Sequence, residues 1–344
     1  MDFLIGTYTH GFGDPSTLGK GIYRVSFDPD AVSFGTPTLA IGLENASALT
    51  IDRAGRVVYS VREVFRDRHP GVSAFRLEPD GRLSPIGRLD FAGELPCHLA
   101  FDPTNRRLAS AQYWTGEVTV FDADDRLCEL ARLERSGTGP NATRQEGPHA
   151  HCVQFTDKGD VLHLADLGAD CIVSHRLASD GKNIETSSLS LPSGAGPRHF
   201  VINKAETRAY VICELTEYLA VLHRDGLGWR LQEAVPAFDC PADAEGSAAA
   251  IRLSPDERFI YVSGRRQSRI VCFSVDGVLT RIGDYSTGGN CPREFILTSD
   301  GGWAICANQE SGTLCAKKRD DGAGHLEEVA ATCDVPAPVA LLQL

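Results

Sequence analysis

The chain has 344 residues, 42% of them hydrophobic, with 34 glycines and a single methionine. Its formal net charge of −12 argues against a nucleic-acid partner, which favours a basic surface, but leaves room for a local arginine cluster that holds a small anion. No stretch approaches the ~20 apolar residues of a membrane helix. The opening Met1-Asp2-Phe3-Leu4-Ile5 has neither a basic nor a long apolar leader segment, so a soluble, cytoplasmic protein is expected. The 11 cysteines are scattered without a CxxC pair and read as reduced, mostly buried thiols.

Along the chain one pattern recurs: a short apolar run, a turn carrying Asp, Gly or Arg, and a second short apolar run. It predicts β-hairpins over 49–61, 99–111, 153–165, 201–212, 251–263 and 295–307. The last apolar residues before the turns are Ile51, Phe101, Phe155, Ile202, Leu253 and Leu297, spaced 44 to 54 residues apart. That is the period of a four-stranded propeller blade. Runs such as Val118–Phe121 and Ile270–Phe273 supply outer strands. A seventh hairpin is split between the ends: Pro338–Leu344 supplies its first strand and Phe3–Tyr8 its second. The expectation is an all-β, seven-bladed β-propeller, one domain over 1–344, closed by pairing of the N- and C-terminal strands so that no sheet edge is left exposed. A pair of β-sandwiches is the alternative, but it does not predict a regular period.

In this repeat, the residues just before the first strand and just after the second lie at one end of each blade and converge on the channel mouth. Four residues before each anchor stand Ser47, Cys97, His151, Arg198, Ala249 and Arg293; twelve after stand Glu63, Tyr113, Leu167, Glu214, Arg265 and Gln309. Ionisable groups concentrated in a concave site are costly unless used. His151, Arg198, Glu214 and Arg265 are therefore the principal candidates. Arg293, Tyr113 and Gln309 are expected to bind substrate, and His149, His199 and Glu63 to position it.

Further motifs are Leu4-Ile-Gly-Thr-Tyr-Thr9, Gly137-Thr-Gly-Pro-Asn141, Arg144-Gln-Glu-Gly-Pro-His-Ala-His151, Gly194-Ala-Gly-Pro-Arg-His199, Cys213-Glu-Leu-Thr216 and Pro292-Arg293. Together they resemble the lactonase family of seven-bladed propellers, which includes propeller-type 6-phosphogluconolactonases and carboxy-muconate lactonizing cyclases. The resemblance implies a site of one histidine, two arginines and one glutamate at His151, Arg198, Arg265 and Glu214, with no cofactor and no metal. It implies hydrolysis of a small anionic lactone such as 6-phosphogluconolactone. Glu214 or His151 would be the general base and the other the proton donor, with the arginines on the substrate anion and the oxyanion. Competing readings are a cyclase acting on a muconate-like dicarboxylate, a non-catalytic scaffold, and a metal-dependent lactonase using Asp166, Glu63 and Glu214. Oligomeric state is not legible in the sequence.

Overall fold

The structure, a computed structural model, describes residues 1–12, 15–123, 127–239 and 246–344. Among these residues the chain forms seven antiparallel sheets, with 3-10 turns at Pro15–Thr17 and Arg66–Arg68. Sheet two begins with Leu49–Asp52 and Val57–Arg62, and sheet three with Pro96–Asp102 and Arg107–Gln112. Sheet four begins with Ala150–Phe155 and Val161–Asp166, and sheet five with Pro197–Ile202 and Arg208–Cys213. Sheet six begins with Ala248–Leu253 and Phe259–Gly264, and sheet seven with Pro292–Leu297 and Trp303–Asn308. Sheet one opens with the last strand of the chain: Pro338–Gln343 pairs with Asp2–Thr7, Leu4 opposite Leu342. All six internal hairpins and the split terminal one are thus where the repeat puts them.

The turns explain why the hairpins form. In each internal hairpin one residue takes a left-handed conformation just before the second strand: Arg56, Arg106, Gly159, Glu206, Glu257 and Gly301. Short acceptor side chains tie the turns off; Asp52 Oδ1 accepts from Gly55 N at 3.0 Å and Asp102 Oδ1 from Thr104 N at 2.9 Å. The second strands are buried on both faces, as in Val57–Arg62 and Trp303–Asn308, while the fourth strand of sheet four, Asn183–Ser190, is mostly exposed. Apolar layers between successive sheets bury the second and third strands, and burial of this kind is the main stabilising term.

The chain divides into two compact units. One takes residues 47–236 and carries sheets two to five; the other takes 1–46, 237–239 and 247–344 and carries sheets six, seven and one. In the first unit Val153, Leu164 and Val173 pack against Ala111 and Val120, and Val211, Leu222 and Trp229 pack against Ile172. In the second, Ile305 and Leu314 pack against Phe3 and Val25. Among the described residues no helix is long and apolar enough to cross a membrane.

One irregularity repeats. The first strand carries a β-bulge near its start, leaving an extra residue opposite the second strand: Cys97 in sheet three, His151 in sheet four, Arg198 in sheet five and Arg293 in sheet seven. In sheet one it is Val339, and in sheet six Ala249 and Ala250 share the place. A bulge bends its strand and re-aims a side chain. In sheets three to seven it falls on the position four residues before the anchor, where the sequence concentrates its ionisable groups.

Candidate functional site

Sheets four and five set the centre of the site. Arg198, on its bulge, reaches Glu214 just beyond the second strand of the same sheet, with Arg198 Nε 2.9 Å from Glu214 Oε2 and both side chains buried. The other carboxylate oxygen, Oε1, accepts from Arg144 Nη2 at 2.6 Å. Glu214 therefore sits between two guanidiniums, and the trio keeps a net positive charge. Arg144 is about one-third exposed and also donates from Nε and Nη2 to the Tyr113 hydroxyl at 3.3 and 3.2 Å. Burial works against the Arg144 charge, but Glu214 and Tyr113 outweigh it and hold the guanidinium above its ordinary pKa.

The loop before sheet four is fixed to deliver Arg144. Asn141 Oδ1 accepts from the backbone N–H groups of Thr143 and Arg144, both at 3.2 Å. The next residue, Gln145, is fully buried and donates from Nε2 to Leu167 O at 2.9 Å and to Asp170 Oδ1 at 2.7 Å. Asp170 also accepts from Gly194 N and Gly196 N, at 2.6 and 2.7 Å, so one carboxylate fastens the loops that precede sheets four and five. Gly196 has φ of +61°, and a Cβ there would stand 2.4 Å from Leu215 Cγ. Its carbonyl accepts from Glu214 N at 2.7 Å, so the glycine lets the loop close on the carboxylate.

Around this trio runs a row of rings. Tyr113 stacks on His149, with centroids 4.5 Å apart and planes 11° apart, and meets His151 edge-on at 5.5 Å. His151 meets His199 edge-on at 5.3 Å, and His199 meets His98 at 5.3 Å. Arg198 Nη1 lies 3.2 Å from His199 Nε2; a guanidinium only donates, so that nitrogen is the acceptor and the His199 proton sits on Nδ1. His149 is held from two sides: its N–H donates to Asp166 Oδ1 at 2.9 Å and its Nδ1 donates to Tyr113 O at 2.8 Å. The Cys97 thiol, from the neighbouring bulge, lies 3.9 Å from His151 Nδ1. Burial pushes the Tyr113 phenol above its ordinary pKa, against the pull of Arg144.

In the other unit, Arg265 donates from its backbone N and its Nε to Ser247 O, at 3.0 and 3.2 Å. Arg293 lies over the Tyr8 ring, 5.2 Å from its centroid. Gln309 donates its N–H to Cys291 O at 2.9 Å, and Arg293 N donates to the same carbonyl at 2.8 Å.

With that geometry in place, comparison with known proteins gives a consistent answer. The sequence profile of the family described as "Lactonase, 7-bladed beta-propeller" matches residues 2–343. The chain belongs to the lactonase family of seven-bladed β-propellers. The seven sheets are its blades, and the pairing of Pro338–Gln343 with Asp2–Thr7 completes the seventh from the two ends. This lactonase-family chain is 30% identical to a 6-phosphogluconolactonase of Bacillus subtilis, over 98% of this chain and 96% of that one. It is 28% identical to a 6-phosphogluconolactonase of Formosa agariphila, over 90% and 92% of the two chains. The crystal structure of a periplasmic gluconolactonase from Pseudomonas aeruginosa is similar at TM-score 0.90 and 27% identity, covering 99% and 98%.

Of the residues expected from sequence, the propeller brings His151, Arg198, Glu214, Tyr113, His149 and His199 together in one unit. Glu63 is in the same unit and buried, at the end of sheet two's second strand. Arg265, Arg293 and Gln309 lie in the other unit. Arg144 was missed, with its supports Gln145 and Asp170. It stands in the Arg144–His151 run but on a loop, outside the hairpin positions that the repeat aligns. Two of the three carboxylates of the metal-dependent reading are otherwise engaged: Asp166 caps His149 N and Ala169 N, and Glu214 is held by its arginines. Among the described residues no three His, Cys, Asp or Glu side chains group so as to hold a metal ion.

Proposed function

We propose that the protein hydrolyses a small anionic sugar lactone of the 6-phosphogluconolactone kind, and that the site centres on Glu214, Arg144, Arg198, His151 and Tyr113. The observation that carries this reading is Glu214 shared between Arg144 and Arg198. Two guanidiniums on one carboxylate leave a positive site in an acidic protein, suited to an anionic ligand and to the oxyanion of acyl transfer. The buried Arg198 stabilises the oxyanion as water adds to the lactone carbonyl. Glu214, with each oxygen occupied by a guanidinium, orients the arginines and holds no proton to give. His151 is then the base that takes the proton of the attacking water. Of the two assignments open from sequence, the proposal takes this one.

His149 and His199 position Tyr113 and Arg198 through the contacts described. Arg265 and Arg293 are proposed as anion binders, a role that rests on their places in the repeat. The free thiols, mostly buried, suit a reducing compartment, and a cytoplasmic location is part of the proposal.

A substrate panel tests the reading: 6-phosphoglucono-lactone, unphosphorylated glucono-lactone and carboxy-muconate, each followed at a pH where spontaneous reaction is slow. Preferred turnover of the phosphorylated lactone is expected. Turnover of carboxy-muconate alone makes the chain a cyclase, and turnover of none of the three rejects the proposal.

A further inference from the structure

Lactone hydrolysis expels an alkoxide, a poor leaving group that needs a proton as the carbon–oxygen bond breaks. With both Glu214 oxygens held by guanidiniums, the site needs another donor. Tyr113 is placed for it. Its oxygen accepts from Arg144 Nε and Nη2, so its own O–H points elsewhere, and its ring meets the edge of His151, the base. The hydroxyl is fixed twice, since the ring is also stacked on His149 and Arg144 is anchored by Glu214.

Building on the proposed lactonase reading, we propose that Tyr113 is the general acid that protonates the departing ring oxygen, with Arg144 stabilising the phenolate as it forms. The water oxygen bonds to the carbonyl carbon while His151 takes one water proton. The bond from that carbon to the ring oxygen then breaks, its electron pair staying on oxygen, and that oxygen takes the Tyr113 proton. The product carboxylic acid ionises. His151 returns its proton through solvent to the phenolate, so the net reaction adds water and releases one proton. A guanidinium beside the phenol favours the phenolate that a neutral environment would oppose, and this makes a buried tyrosine a usable acid. The ordinary value of the phenol, raised by burial, keeps the proton in place at neutral pH.

Tyr113→Phe keeps the ring and its stack on His149 and removes only the hydroxyl. On glucono-lactones kcat is expected to fall ~10²-fold or more, with KM changed less than about threefold. On the matching thiolactone, whose sulfur leaves without a proton, the loss is expected to stay below about fivefold. A second readout needs no analogue: kcat of the wild type on the oxygen lactone falls at alkaline pH as Tyr113 ionises, and Tyr113→Phe lacks that limb. Arg144→Lys, which keeps charge but not the fork, moves the limb to higher pH. Equal losses on both substrates, no loss on either, or an alkaline limb unchanged in Tyr113→Phe overturns the inference while leaving the lactonase reading intact. A wild type that hydrolyses no lactone overturns both.

Discussion

The same bulge opens sheets five and six, yet its cargo differs. In sheet five it presents Arg198 to a buried carboxylate; in sheet six it presents Ala249 and Ala250, both fully buried. The backbone device thus belongs to the blade, whatever it carries. Charge enters only where the re-aimed residue is ionisable, as with Arg198, whose partner Glu214 stands just beyond the second strand. The bulge is a position the fold provides, and sheets four and five place His151 and Arg198 on it.

The sharpest way to break that contrast is Arg198→Ala, which makes sheet five like sheet six. Glu214 is left buried with one guanidinium instead of two. Activity on the lactone is expected to fall ~10³-fold or more, and stability by about 3–5 kcal/mol because a buried ion pair loses one member. Steady-state kinetics and denaturant unfolding read the two effects separately. Asp170→Ala comes next. It releases Gln145, Gly194 and Gly196 together, so Arg144 and Arg198 lose their fixed geometry, and kcat/KM is expected to fall ~10–100-fold with the charged residues still present.

Smaller effects follow in sheet six. Ala249→Leu overfills a packed bulge and is expected to cost about 1–3 kcal/mol with kcat within about twofold of wild type. A large loss of activity there would mean that the sheet-six bulge also serves chemistry.

The smallest effect separates a structural histidine from the site. His163, on the second strand of sheet four, accepts at Nε2 from Arg224 at 2.8 Å, which leaves its Nδ1–H to donate to the Ser174 hydroxyl at 2.8 Å. Burial, with Arg224 close by, lowers its pKa to about 3. The fold holds it neutral, so its cost is absent above the unfolded value near 6.5 and grows as pH falls from there toward 3. His163→Gln is expected to flatten the loss of stability across that window, measured by denaturant unfolding at stepped pH.

How much of this was legible beforehand follows from periodicity. The hairpins were, because each carries its own turn chemistry and two apolar runs. The terminal closure was, because Phe3–Tyr8 and Pro338–Leu344 each look like half of a hairpin and nothing else. The places of His151, Arg198, Glu214 and Tyr113 at the blade ends were, because the repeat aligns them. Arg144 was not, since it sits on a loop outside the repeat, and its partners are set by Asn141, Gln145 and Asp170 rather than by strand register. The pairing of both Glu214 oxygens with guanidiniums was not either, because it is set by three-dimensional contact and not by the repeat.

The most direct test of the account is the rate of 6-phosphoglucono-lactone hydrolysis by wild type and by Arg198→Ala, assayed side by side where the spontaneous reaction is slow. The account predicts strong acceleration by the wild type and its near-complete loss in the variant. Equal rates for the two proteins would contradict it.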